Sequence, residues 1–201
     1  TPIHVAPNGY SIDEFDSIRN PLGMTGEIIS AEYTSLTADA AYVKSLTRTI
    51  RQAGLRIKGM VPSTLASSEA VLGKVEREQG SVLVDIGAKY TNLAVMDRSQ
   101  IVYSTGLPIV GNHFTNDLKI GLRVTPSEAE ELKLLHGSAV VEGTVSQDFI
   151  HSSLLTNELS QKRISRLTMN TLLRDRAVEL LGMIIRAVYK SGRKTLPKSG
   201  L

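Results

Sequence analysis

From Leu173 to Val188 apolar residues return every three or four positions: Leu173, Ala177, Leu180, Leu181, Ile184, Ile185 and Val188. That period lines one side of a helix, and Gly192 supplies its stop. A face this long needs a core to lie against, so it is read as packing surface and not as a cofactor box. The chain has 201 residues, enough for one large domain or two small ones. With 41% hydrophobic and 21% charged residues it is globular and not intrinsically disordered. It has no cysteine, which excludes a disulfide scaffold, a thiolate metal site and a cysteine nucleophile. Tryptophan is absent and aromatics are 4%, which argues against a stacking platform for single-stranded nucleic acid. Asp85, Glu179 and Arg186 interrupt the most apolar runs, so none approaches the ~18 clean residues of a membrane span.

The elements before that helix alternate. Ile28–Thr34 is rich in β-formers and reads as a strand. A helix is predicted over Thr37–Ala53, with Val43, Leu46 and Ile50 on one stripe and Gly54 at its stop. A short strand, Leu55–Val61, leads to a second helix, Ser63–Glu78. Strands follow at Ser81–Val84, Thr91–Met96 and Ile101–Pro108, and then a helix at Asn112–Leu122. Thr125-Pro126-Ser127-Glu128 has the form of a capping box opening another helix. Ser138–Gln147 reads as a strand, and Asp148–Gln161 as a loop.

The net charge of +3 is unevenly placed. From Lys162 onward ten basic residues face only Asp175 and Glu179, a net of +8, so the preceding part carries −5. That asymmetry suits an acidic partner, or a solvated helix face. His4, His113, His136 and His151 show no metal-binding spacing. Ser191-Gly192-Arg193-Lys194-Thr195 is not a P-loop, because an arginine interrupts it and it follows a helix. Asp13, Glu14 and Asp16 read as solvated surface acids. The informative place is Asp85-Ile86-Gly87 between two strands. An acid at a strand end, then glycine and a turn, can bring backbone N–H groups to a phosphate, or can simply turn a hairpin.

Several motifs together resemble the FtsA family of bacterial actin-like division proteins and, more distantly, the PilM pilus-assembly proteins. They are His4–Asp13, Asn20-Pro21-Leu22-Gly23-Met24-Thr25-Gly26, Asp85-Ile86-Gly87, Val110–Leu118 and Ala129–Gly137. The resemblance implies an α/β chain with a partial actin-like ATPase fold. Residues 1–77 would be a small α+β subdomain 1C, and 78–201 subdomains 2A and 2B. The first phosphate loop, the glycine-rich adenosine loop and the membrane-targeting helix of relatives are not in this sequence, so the chain is expected to be a piece of something longer. It ends at Ser199-Gly200-Leu201 and begins at Thr1 without a signal segment.

By the same resemblance the function would be a cell-division scaffold. It would polymerise and link FtsZ filaments to the cytoplasmic membrane at the division site. The alternatives are an active ATPase of that fold, or a PilM-like pilus platform. ATP with Mg2+ would be the cofactor of the full-length protein. Asp85, Gly87 and Thr91 would face the phosphates, Gly111 would line the site, and Glu130 and Lys133 would reach the ribose and adenine. Val110 stands where relatives have a glycine, and Ala88, Lys89, Tyr90 and Asn92 depart from the phosphate motif. Tyr90 adds bulk near the phosphates, which speaks against hydrolysis more than against binding. Weak ATPase activity at most is expected, and none from the truncated chain. The partners implied are the FtsZ C-terminal tail, held by Arg176 and Glu179, a second copy through subdomain 1C, and the membrane through the absent segment. No nucleic acid is expected.

Overall fold

The computed structural model describes residues 1–145, 147–150 and 163–192. They form two compact units. The first comprises Thr1–Asp85, Asn92–Thr105 and the described residues from Val188 on. The second comprises Ile86–Thr91 and the described part of Gly106–Ala187.

The first unit opens with β1 (Pro2–Ile12), β2 (Phe15–Ile18) and β3 (Ile29–Thr37), an antiparallel sheet in the order β2-β1-β3. β1 and β3 pair from Pro2 opposite Thr37 to Ile12 opposite Ile29. Asp13 turns the chain in a left-handed conformation, φ 51°. It is more than a surface acid. Its Oδ1 accepts the N–H groups of Glu27 (3.0 Å) and Ile28 (2.8 Å), and its own N–H donates to Ile28 O (2.9 Å). These bonds strap the Asn20–Gly26 loop back onto the sheet, where a Cβ at Gly26 would overlap Ile12 Cγ2.

Helix α1 (Ala40–Gln52) starts later than its periodicity suggests, because β3 runs through Thr37 and Asp39 caps the helix by accepting Tyr42 N–H at 2.8 Å. Val43 and Ile50 are half-buried and Leu46 more exposed, so the stripe is only partly covered. Leu55–Val61 is not a strand. Leu55 and Val61 face solvent and the segment pairs with no neighbouring strand, so nothing rewards an extended ladder there. The predicted Ser63–Glu78 helix is two helices, α2 (Ser63–Val71) and α3 (Lys74–Gln79). Leu72 adopts extended backbone between them, and Gly73 restarts the helix with Glu76 Oε2 accepting its N–H at 2.5 Å.

The second sheet, in the order β4-β5-β6, is built from β4 (Ser81–Ile86), β5 (Thr91–Asp97) and β6 (Gln100–Leu107). Leu83, Ala94, Met96 and Ile101 form its core, with Leu36, Leu65 and Leu72 packed against them. Only Arg98 and Ser99 connect β5 to β6. Both have positive φ (49° and 65°), the backbone that a tight two-residue hairpin turn requires.

The second unit contains α4 (Gly111–Leu122), α5 (Pro126–His136), a two-stranded pair β7 (Phe149–Ile150) and β8 (Ile164–Ser165), and α6 (Arg166–Lys190). Its core is Leu118, Leu122, Ala129, Leu132, Ile150, Ile164, Met169 and Leu173. Thr125 and Glu128 close the capping box of α5: the Thr125 N–H donates to Glu128 Oε2 at 2.7 Å. Along α6, Leu173, Leu180, Ile184 and Val188 are buried, while Leu181 and Ile185 face outward. The predicted strand over Ser138–Gln147 is absent from the described residues of that stretch. Its polar groups go instead to the buried Asn170, which accepts Ser138 N–H at 3.3 Å, and to a local turn, Thr144 N–H to Val141 O at 3.0 Å. Of the predicted loop Asp148–Gln161, Phe149 and Ile150 pair as a strand and the remainder from residue 151 lies outside the described residues. Lys162, Arg193, Lys194 and Lys198, four of the ten basic positions, lie outside them too.

The substitution Gly26→Ala is expected to destabilise the protein by about 1–3 kcal/mol, since the methyl must displace Ile12 or Asp13. Gly9→Ala, with nothing within 4 Å of the added carbon, is the control. Urea denaturation of both variants provides the measurement.

Candidate functional site

The segment after β4 folds tightly. Gly87 N–H donates to Tyr90 O at 2.9 Å, and a Cβ on Gly87 would stand 2.8 Å from that oxygen. Any side chain there would open the turn. The start of α4 then closes on it. Gly111 N–H donates to Gly87 O at 2.9 Å, and Asn112 N–H to Ala88 O at 3.2 Å. A Cβ on Gly111 would meet Gly87 O at 3.3 Å and Ala88 Cα at 3.5 Å. Gly111 is thus in direct contact with the loop. Thr91 is 1% exposed, and its Oγ1 has no hydrogen-bond partner among the described residues. Such an orphan hydroxyl is costly unless a water or ligand completes it. Asp85 belongs to the first unit, half-buried on β4. Lys89 and Tyr90 are exposed.

Helical spacing of one turn brings the other predicted residues together. Thr115 lies one turn beyond Gly111 and its hydroxyl meets both charged residues of α5. It donates to Glu130 Oε2 at 2.5 Å and accepts from Lys133 Nζ at 2.9 Å, and Lys133 Nζ also reaches Glu130 Oε2 at 2.7 Å. The Lys133 hydrogen bond, followed by that of Thr115, holds the Glu130 carboxyl below its ordinary value of 4.5 against an opposing desolvation effect. Glu130, Lys133 and Gly111 therefore share one α4–α5 cluster with Thr115 at its hub. Among the described residues no group of three His, Cys, Asp or Glu side chains is placed to hold a metal ion. The orphan Thr91 hydroxyl and the glycine-lined turn fit a phosphate-bearing ligand.

Arg176 is engaged within the chain. Its Nε and Nη2 donate to the two oxygens of Asp117 at 2.6 and 2.9 Å, a bidentate pair, and Nη1 donates to Glu179 at 2.6 Å. The Asp117 bond raises the arginine's pKa further above its ordinary value, burial opposing. Around the pair lies a groove of about 330 Å³, lined by Ile120, Gly121 and Leu172 below and Asp117, Asp175, Arg176 and Glu179 at the rim. Sequence reasoning singled out Arg176 and Glu179 but missed Asp117 and Thr115. Asp117 and Arg176 are 59 positions apart, and no local spacing announces such a pair.

Glu130→Gln tests the α4–α5 cluster. A carboxyl whose pKa is lowered on folding stabilises the protein above its unfolded value and loses that contribution as pH falls. Acidification below pH 4.5 should therefore destabilise the wild type more than the variant. The difference should be small, about 0.5 kcal/mol, because the carboxylate is 44% exposed and screened. Thermal denaturation across that range measures it, and parallel acid limbs would contradict the assignment.

The profile describing cell division protein FtsA matches residues 82–194, and that describing the SHS2 domain inserted in FtsA matches residues 1–37. Cell division protein FtsA of Agrobacterium fabrum is 31% identical over 192 residues, covering 94% of this chain and 43% of the relative. The FtsA of Buchnera aphidicola is 31% identical over 98% of this chain and 47% of its own, and that of Escherichia coli K12 is 29% identical over 96% and 46%. The chain thus spans a little under half the length of these curated relatives. Among solved structures, MreB5 of Spiroplasma citri bound to ADP superposes with a TM-score of 0.63 at 20% identity, over 81% of this chain and 50% of that one. The PilM–PilN type IV pilus biogenesis complex superposes with a TM-score of 0.60 at 18% identity, over 100% of this chain and 49% of the PilM–PilN chain. Among the described residues no helix is long and apolar enough to cross a membrane.

Proposed function

The chain belongs to the FtsA family of cell-division proteins and has the actin-like ATPase fold, and from that premise we propose that it is part of a division scaffold that binds ATP, polymerises and links FtsZ filaments to the cytoplasmic face of the membrane. In this reading residues 1–77 are subdomain 1C and 78–201 an incomplete 2A and 2B. The observation that carries the nucleotide role is the closed Gly87–Gly111 contact, continued by Thr115 into the Glu130–Lys133 pair. Glycine at both positions lets the turn and the start of α4 close on each other, and the buried Thr91 hydroxyl beside them is left with a hydrogen bond to give. When bound, ATP with Mg2+ would supply the phosphoryl group and its charge. This chain's residues position it. Asp85, Gly87 and Thr91 would flank the phosphates, and Glu130 and Lys133 the ribose and adenine. Binding is favoured over turnover because Lys89 and Tyr90 occupy the phosphate turn.

Self-association is assigned to subdomain 1C. β3 is the outer strand of its sheet and leaves one edge unpaired, with Ile29 and Tyr33 exposed on it. The FtsZ C-terminal tail, acidic and apolar, is assigned to the groove beside Arg176 and Glu179. Ile120 and Leu172 would receive apolar anchors, while the guanidinium, held in place by Asp117, would meet a carboxylate. Arg176→Ala should cost on the order of 1–3 kcal/mol of tail affinity. Fluorescence anisotropy with a labelled tail peptide reads this directly, and equal affinity for wild type and variant would remove the assignment. Added salt should weaken the steering part of the interaction.

A further inference from the structure

The first turn of α4 is fastened by a histidine side chain. His113 occupies the third position of the helix, where a glutamate or glutamine commonly reaches back to the N–H of the capping residue. Here the imidazole takes that part: Val110 N–H donates to His113 Nδ1 at 3.1 Å. Val110 is buried, so its N–H has little water to turn to if the histidine leaves. The next two N–H groups along the chain, of Gly111 and Asn112, are those that grip the Gly87–Ala88 loop.

An imidazole accepts at Nδ1 only while that nitrogen is unprotonated, with the proton on Nε2. Protonation converts the acceptor to a donor facing another donor. It also places a positive charge at the helix end where the macrodipole is already positive. Asp117 lies one turn along α4 from His113. The charged groups bonded across to α4 or to those partners are Asp117 on α4 itself, Arg176 and Glu179 on α6, and Glu130 and Lys133 on α5. Asp117 and Glu179 are both held by Arg176, and Glu130 by Lys133.

We infer that His113 is a positioning residue for the candidate phosphate turn: in its neutral Nε2–H form it closes the N-cap of α4 and so holds Gly111 and Asn112 against Gly87 and Ala88, and on protonation it lets them go. The role given to the turn rests on the nucleotide reading above, but the fastening itself does not.

The test is amide hydrogen exchange by NMR on the isotope-labelled chain, without nucleotide, at about pH 7.5 and about pH 5.5, each rate divided by its intrinsic value. In the wild type, protection at Val110, Gly111 and Asn112 should fall roughly three- to tenfold at the lower pH, the fold-change of one lost hydrogen bond. His113→Gln, whose side-chain oxygen accepts at either pH, should stay protected at both. His113→Ala should be unprotected at both. Nitrogen chemical shifts of the wild-type ring should report the Nε2–H tautomer at the higher pH. Unchanged wild-type protection, a glutamine variant with the wild-type pH dependence, or an Nδ1–H tautomer would each overturn the inference. If the alanine variant does not fold, the glutamine variant and the tautomer still decide. Because no nucleotide enters the measurement, its failure and that of the nucleotide reading are separate results.

Discussion

Two peptide hydrogen bonds fix the geometry on which the second unit depends. The carbonyls of Gly87 and Ala88 accept the N–H groups of Gly111 and Asn112, so the start of α4 is set by the turn after β4. Those N–H groups are among the donors that a helix cannot satisfy internally. Using them on a neighbouring turn satisfies them beside the Val110 N–H that His113 takes, and it demands glycine where a Cβ would stand 3.3 Å from a carbonyl. Once that end of α4 is placed, helical spacing does the rest. Thr115 faces α5 and Asp117 faces α6, so one helix meets both partners.

The two contacts differ in strength. Asp117 and Arg176 are roughly three-quarters shielded from water, with two parallel bonds between planar groups. Removing one partner would leave a partly desolvated charge, which costs more than the pair itself contributes. Glu130 and Lys133 are nearer to solvent and share one carboxylate oxygen with Thr115. Their electrostatic worth is correspondingly screened. The α4–α6 contact is therefore the firmer joint. The α4–α5 cluster can rearrange around an incoming polar group at little energetic expense.

Much of this was legible in the sequence wherever a local rule governs. The capping box at Thr125–Glu128, the strand pair around Asp85–Tyr90 and the long apolar face of α6 all follow from spacing. What escaped was set by tertiary context. Leu55–Val61 has strand composition but no pairing neighbour. Leu72-Gly73 breaks a pattern that reads as one continuous helix. Two of the seven residues on the α6 face, Leu181 and Ile185, are apolar yet point outward. Asp13 looked like a solvated acid because its value lies in backbone groups 14 and 15 residues away. The resemblance to the FtsA family pointed to Gly111, Glu130 and Lys133, which share the α4–α5 cluster, whereas periodicity alone would have left them as surface residues. Thr115 and Asp117 sat inside a quoted motif without a role, since their partners are distant in sequence.

The connection between β5 and β6 bears on the order in which the chain organises itself. Arg98 and Ser99 both sit in left-handed backbone, which ordinary side chains adopt reluctantly. A turn of glycine or asparagine would close spontaneously and recruit its strands. This one is unfavourable until the buried Met96 and Ile101 on either side come together. The hairpin thus zips from its apolar flanks toward its tip, and the corner is the last part of the sheet to become native.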